Sequence, residues 1–355
     1  MSTPRRTFRD EHTGRRVWQV TEGPALHHHL YYLTPSWTPD GRWLIHVRYE
    51  SDRANLVAVP GAGGAARTLT GIEDLHPFSG CPAQDGQGVH FTAGSQMRRV
   101  EIADGRQHLL AEFDGGTPGN CMLSADGRFI VTNVRRGPWN CVTVVGTDGT
   151  GAREVLRTQR EVGHVQFDPT GARRILYSGS LTERLWMVGF DGSGDRLLRA
   201  QAEGELLLHE FWSPDGAAIY FVHWPFGLRR IDPDGTAEAG VVEMNAWHVA
   251  PRHDGRLLVC DTNHPDTGLH LIDPARGSVA PLCVSGATNL GTQWRHTFPR
   301  EGAHMDVTML GAAAAQETPW GPQWTHPHPS FSPSGDRVVF TSDRSGVSQV
   351  YVVEL

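Results

Sequence analysis

With 355 residues, 39% of them apolar and 20% charged, the chain has the composition of a soluble globular protein, with room for one large domain or two ordinary ones. Its formal charge of −7 argues against nucleic acid as the main partner, because no overall positive field attracts phosphates. No apolar run approaches the ~18 residues that a membrane-spanning helix needs, so no membrane partner is expected.

The opening MSTPRRTFRDEHTGRR has arginines but no apolar stretch behind them, so a secretory signal is not expected. RRVWQVTEG, residues 15–23, then alternates as a short strand. His27, His28 and His29 follow, and at least two of them read as an exposed polar loop. From residue 36 onward one unit repeats: a short strand, a tight turn, an apolar strand, a polar loop and another apolar strand. SWTPDGRWLIHVRYESDRANLVAV is the first copy and SFSPSGDRVVFTSDRSGVSQVYVV the last. The turn glycines Gly41, Gly86, Gly127, Gly171, Gly216, Gly255 and Gly335 recur every 39–45 residues, except for a final interval of 80. Asp-Gly turns supply the positive φ of hairpins, and seven copies of this length fit blades of four strands.

The expected fold is therefore all-β, a seven-bladed β-propeller in one domain spanning 1–355. The last copy has only three strands, and RRVWQVTEG is placed to complete that blade and close the ring. The long interval reads as an insertion of irregular structure at about 284–325. Such an insertion is usually functional or disordered. Cys81, Cys121, Cys141, Cys260 and Cys283 are scattered, with no C-x-x-C pair, which fits reduced thiols in a cytoplasm better than a disulfide framework.

In a propeller the first strand of each blade lines the central channel. Counting seven residues back from each turn glycine finds the start of that strand: Thr34, Ser79, Asn120, His164, His209, His248 and His328. Strand propensity does not select histidine, yet four of these positions carry it. His326 lies two residues before His328, so an extended chain points both the same way. Gln323 stands in the incoming loop. His248, Gln323, His326 and His328 form a donor set suited to a divalent metal of the Mn, Fe, Ni or Zn kind. A metal site and a group of water-bonded histidines both stay open on this ground alone. Loops between second and third strands bring Arg48, Arg135, Arg184 and Arg344 to the same face. Each is ordinary as a solvated residue; together they suggest a carboxylate-bearing ligand.

The stretches TFRDEHTGRRVWQVTEG, HHHLYYLTPSWTPDG, HEFWSPDG and QWTHPHPSFSPSGD resemble the oligogalacturonate lyases, seven-bladed propellers of pectin catabolism. The Q-x-x-H-x-H pattern with an upstream histidine is the specific part. The resemblance implies a metal, usually manganese, on His248, Gln323, His326 and His328, with His209 as the Brønsted base. It implies β-elimination of a small acidic oligosaccharide such as digalacturonate, in the cytoplasm. Arg184, in the blade next to His209, is the expected charge-neutralising partner; His164, Arg48, Arg135 and Arg344 are expected to bind substrate. The competing readings are a lyase for another uronate and a non-catalytic, TolB-like binding propeller. A peptidase would need a second domain with a G-x-S-x-G elbow, and a hydrolytic glycosidase a carboxylate pair at the rim.

Overall fold

Each Asp-Gly, Thr-Gly or Ser-Gly turn of the repeat holds its glycine at positive φ, from 67° at Gly216 and Gly255 to 76° at Gly171. L-residues with a Cβ avoid that region, so these glycines fix where every first hairpin reverses. The computed structural model describes residues 6–50, 53–61, 63–171, 173–263, 265–289 and 325–355. Among the described residues there are no α-helices, and hence none that could cross a membrane. The strands form seven antiparallel sheets, six of four strands and one of five.

First strands of successive blades touch one another: Gly163–Phe167 meets Leu207–Trp212, which meets Ala246–Pro251, which meets Ser330–Phe331. They are the inner ring. Apolar clusters fill the space between blades. Val17, Val259, Leu271, Phe331, Phe340 and Tyr351 form one such cluster across the last two blades. A blade cannot bury both faces alone, so the ring of neighbours makes the core.

The ring closes as expected. Arg16–Gln19 pairs antiparallel with Gln349–Glu354, in the register Val17↔Val353, Trp18↔Val352 and Gln19↔Tyr351. One strand was not anticipated: Thr7–Arg9 adds a fifth, outer strand to the closing blade. Most of the expected insertion, residues 290–324, lies outside the described residues.

Blade one departs from the sequence expectation. His27–His29 is no exposed loop; it is the inner strand of that blade, and the three residues are only 6%, 2% and 2% exposed. It pairs as His27↔Arg48, His28↔Val47 and His29↔His46. The imidazoles tolerate burial because partners are at hand. His27 Nδ1 lies 3.1 Å from His46 Nε2, and His28 Nδ1 donates to the His29 carbonyl at 2.7 Å. After His29 the chain leaves the sheet and rejoins it at Trp37, opposite Leu44. Counting by seven therefore lands on Thr34 in the connecting turn, where its amide donates to the Tyr31 carbonyl, rather than on the inner strand.

These buried histidines set an acid limit on stability. Burial pushes His27, His28, His29 and His90 down to about 4 from an ordinary 6.5. Below pH 6.5 the unfolded chain takes up protons that the folded chain refuses, so stability falls as pH drops. For these four the loss runs from about 6.5 to about 4, and His46, His209, His248 and His328, held well below the ordinary range, add to it. Thermal melts should show Tm falling steadily across that window, before most carboxylates titrate. A flat Tm from pH 7 to 4 contradicts this account.

Candidate functional site

Four inner strands share a local fault. Their pairing with the second strand slips between Pro118 and Cys121, Gly163 and Gln166, Leu208 and Phe211, and Ala246 and Val249. Asn120, His164, His209 and His248 fall inside these slips. His164, His209 and His328 have φ of 44°, 51° and 46°. A left-handed conformation costs a non-glycine residue about 1–2 kcal/mol, and such strain gathers at functional sites. Irregular pairing of this kind re-aims a side chain that the pleat would otherwise direct into a blade face.

His248, His326 and His328 each offer a ring nitrogen, and these nitrogens all lie within 4.8 Å of one another. All three residues are buried, and the His248 and His328 ring centroids are 3.9 Å apart. Asp261 organises two of them. Its carboxylate accepts from His248 Nδ1 at 2.8 Å, from the His248 amide at 2.6 Å and from the His328 amide at 3.2 Å. The Nδ1–H bond fixes the tautomer and leaves His248 Nε2 with its lone pair, the usual second layer of a metal-binding imidazole. His29 steadies the other strand: its Nε2 donates to the Pro327 carbonyl at 2.9 Å, between His326 and His328. Burial holds His248 and His328 well below the ordinary histidine range, so both are neutral and able to ligate.

His328 Nε2 is buried without a hydrogen-bond partner among the described residues. A buried, unpaired lone pair is costly, and a cation shared with two further imidazoles would satisfy it. The donor set thus fits a borderline divalent metal. Gln323 lies outside the described residues.

His209 sits beside the cluster, its ring 4.4 Å from His248 and 4.9 Å from Trp247. Burial, with His248 and His164 adding to it, holds it well below the ordinary range. Its Nδ1 has no hydrogen-bond partner among the described residues. It is a neutral imidazole in a buried wall.

Arg184 is placed next to His209 but is not a free guanidinium. Its Nη2 donates to Glu210 Oε2 at 3.1 Å, and Glu210 is fully buried. Burial alone would raise the Glu210 carboxyl, yet Arg184 and His164 hold it down to about 2. Glu210 also accepts from His164 Nδ1 at 3.3 Å, and His164 Nε2 lies 3.0 Å from the Tyr31 hydroxyl.

The rim of arginines is not assembled as expected. Arg48 donates to Glu50, two residues along its own strand, and to Thr68 on the outer strand of its blade. Arg344 is exposed, bonds the Val284 carbonyl and lies over Phe8. Arg53 pairs with Glu73 and Arg136 with Glu154. Nearby acids claim Arg48, Arg53 and Arg136, a choice that a shared loop position does not reveal. Arg135 is exposed, opposite Thr117 of an inner strand, with no ion pair among the described residues.

Sequence reasoning missed Tyr31, Tyr32 and Asp261. Tyr31 and Tyr32 sit on the connection inserted into blade one, and their rings contact His164, His209, His248 and His328 at 5.3–6.5 Å. A strand-like HHH separated from its turn by LYYLTP was the available signal. For Asp261 there was none.

A family model described as oligogalacturonate lyase matches residues 140–355. The chain is 22% identical to an oligogalacturonide lyase of Pectobacterium atrosepticum, covering 98% of this chain and 95% of that protein. An oligogalacturonate lyase of Dickeya dadantii gives the same 22% identity and the same coverage. Among solved structures, an oligogalacturonate lyase in complex with manganese superposes with a TM-score of 0.84 at 19% identity, covering 100% of this chain and 97% of the other.

Proposed function

The chain belongs to the oligogalacturonate lyase family, and from that premise we propose that it cleaves short oligogalacturonides by metal-assisted β-elimination, with His209 taking the C5 proton. What supports this reading most is the meeting of two chemistries in one place: three imidazoles converging within 4.8 Å, and a fourth, neutral imidazole 4.4 Å from one of them.

The C5 proton of a uronate is barely acidic while the adjacent carboxylate is anionic. A divalent cation, most simply the manganese named for a structural relative, would be held by His248, His326, His328 and Gln323, and would neutralise that carboxylate and the charge developing on it. His209 is neutral at working pH and accepts the proton. Burial, with His248 and His164 beside it, keeps His209 unprotonated, and Arg184 is held by its ion pair with Glu210. His164 and Arg135 are assigned to substrate contact. The buried walls around His209 exclude the water that would otherwise solvate the base. Five free, buried cysteines fit a reducing compartment, and we assign the enzyme to the cytoplasm.

The direct test is absorbance at about 235 nm with digalacturonate and manganese, which follows the conjugated double bond formed by elimination. A rise that needs both additions is the expected result. A flat trace there with a rise on another uronate keeps the mechanism and changes the sugar; no rise on any uronate removes the proposal.

Asp261 supplies a check that does not depend on turnover. Replacing the outer partner of a metal-binding imidazole usually lowers metal affinity about 10–100-fold. Asp261→Asn should raise the manganese Kd by that factor, read by titration calorimetry on folded protein. An unchanged Kd would separate Asp261 from the metal.

A further inference from the structure

We propose that Tyr31 is the proton donor to the departing glycosidic oxygen, supplied through His164; the assignment rests on the lyase reading above. Elimination needs two proton movements, one off C5 and one onto the oxygen leaving C4. In a galacturonate ring the C5 hydrogen and the C4 oxygen lie on opposite faces. One side chain cannot serve both, so a base at His209 leaves the donor to be found elsewhere.

The structure offers one continuous hydrogen-bonded path that ends in a hydroxyl at the site. The Tyr31 hydroxyl lies 3.0 Å from His164 Nε2, and His164 Nδ1 lies 3.3 Å from Glu210 Oε1. Glu210 is fully buried and anchored by Arg184 at 3.1 Å, so its oxygens are fixed acceptors. That holds the ring with Nδ1 toward Glu210 and Nε2 toward the Tyr31 oxygen. In the proposed step a proton on His164 Nε2 passes to the Tyr31 oxygen as the phenolic proton goes to substrate. His164 takes this orientation at a strained φ of 44°. Tyr31 and His209 come from different blades, and Tyr32 touches both, at 4.6 and 5.5 Å between ring centroids.

The step balances. His209 takes the C5 proton, and the electron pair of that bond forms the C4–C5 double bond. The C4–O4 pair leaves with the oxygen, which takes the phenolic proton of Tyr31. Tyr31 takes the Nε2 proton of His164 in the same movement. Afterwards His209 gives one proton to water and His164 recovers one. Tyr31 is never left as a phenolate, in keeping with burial that pushes its hydroxyl well above the ordinary range.

The test compares two substrates on protein of verified manganese content. On digalacturonate Tyr31→Phe should lower kcat by about 100-fold or more, the usual size of a general-acid contribution, with KM little changed. On a galacturonate carrying a 4-nitrophenyl ether at C4, whose phenolate departs without a proton, variant and wild type should run within a few-fold of each other. Equal losses on both substrates would show a packing role, and no loss on digalacturonate would remove Tyr31 from the step; either overturns the proposal. If Tyr31→Phe does not fold, His164→Gln makes the same comparison, because the relay loses its source. Wild type inactive on both substrates fails the lyase reading, and the donor role with it, whereas an active wild type with an unselective variant fails the donor role alone.

Discussion

His209→Ala should abolish elimination and leave the bound metal in place. A positioned general base contributes about 10²–10⁴-fold, so kcat on digalacturonate should fall by that range. The metal should stay because His209 is a neighbour of the cluster and not a member. Its ring stands 4.4 Å from His248, but the converging nitrogens are those of His248, His326 and His328. The two side chains also rise from the inner strands of different blades, Leu207–Trp212 and Ala246–Pro251. Metal analysis of the purified variant beside its 235 nm trace reads both halves at once, at about that wavelength. A variant that loses its metal makes His209 a ligand, and one that keeps its rate gives the proton to another base.

The residues of this site were unevenly legible in the sequence, for physical reasons. The turns were plain because positive φ demands glycine there, and seven glycines at blade spacing fix the ring. Counting back from them reached His164, His209 and His248 because their strands slip at the same depth. The slips themselves leave no trace in composition. In blade one the count failed, since seven residues from Leu30 to Ser36 interrupt the inner strand and carry Tyr31 and Tyr32 toward the histidines. At least two of His27, His28 and His29 read as exposed loop in the sequence because polarity usually means exposure, yet all three are buried. A channel lined with imidazoles bonded to one another and to carbonyls breaks that rule. The rim arginines failed differently. Whether a guanidinium reaches the axis or a neighbouring acid depends on partners that the repeat does not specify, as with Arg48 and Glu50 on one strand.

His328→Ala should remove metal binding and catalysis together. It deletes one of three converging imidazoles and leaves the other two without the geometry that a cation needs. Binding is also a stability term: a ligand at 100 times its Kd stabilises the folded state by about 2.7 kcal/mol. Manganese should therefore raise the Tm of the wild type by several degrees, and a chelator should reverse it. In His328→Ala that rise should vanish. In Asp261→Asn it should shrink at a fixed manganese concentration, because the ligands remain and only their support is weakened. His209→Ala should keep the full rise while losing turnover. The ordering matters more than any single value. A cation bound elsewhere would shift all three variants alike, and a His328→Ala melt that still rises with manganese would place the metal away from this cluster.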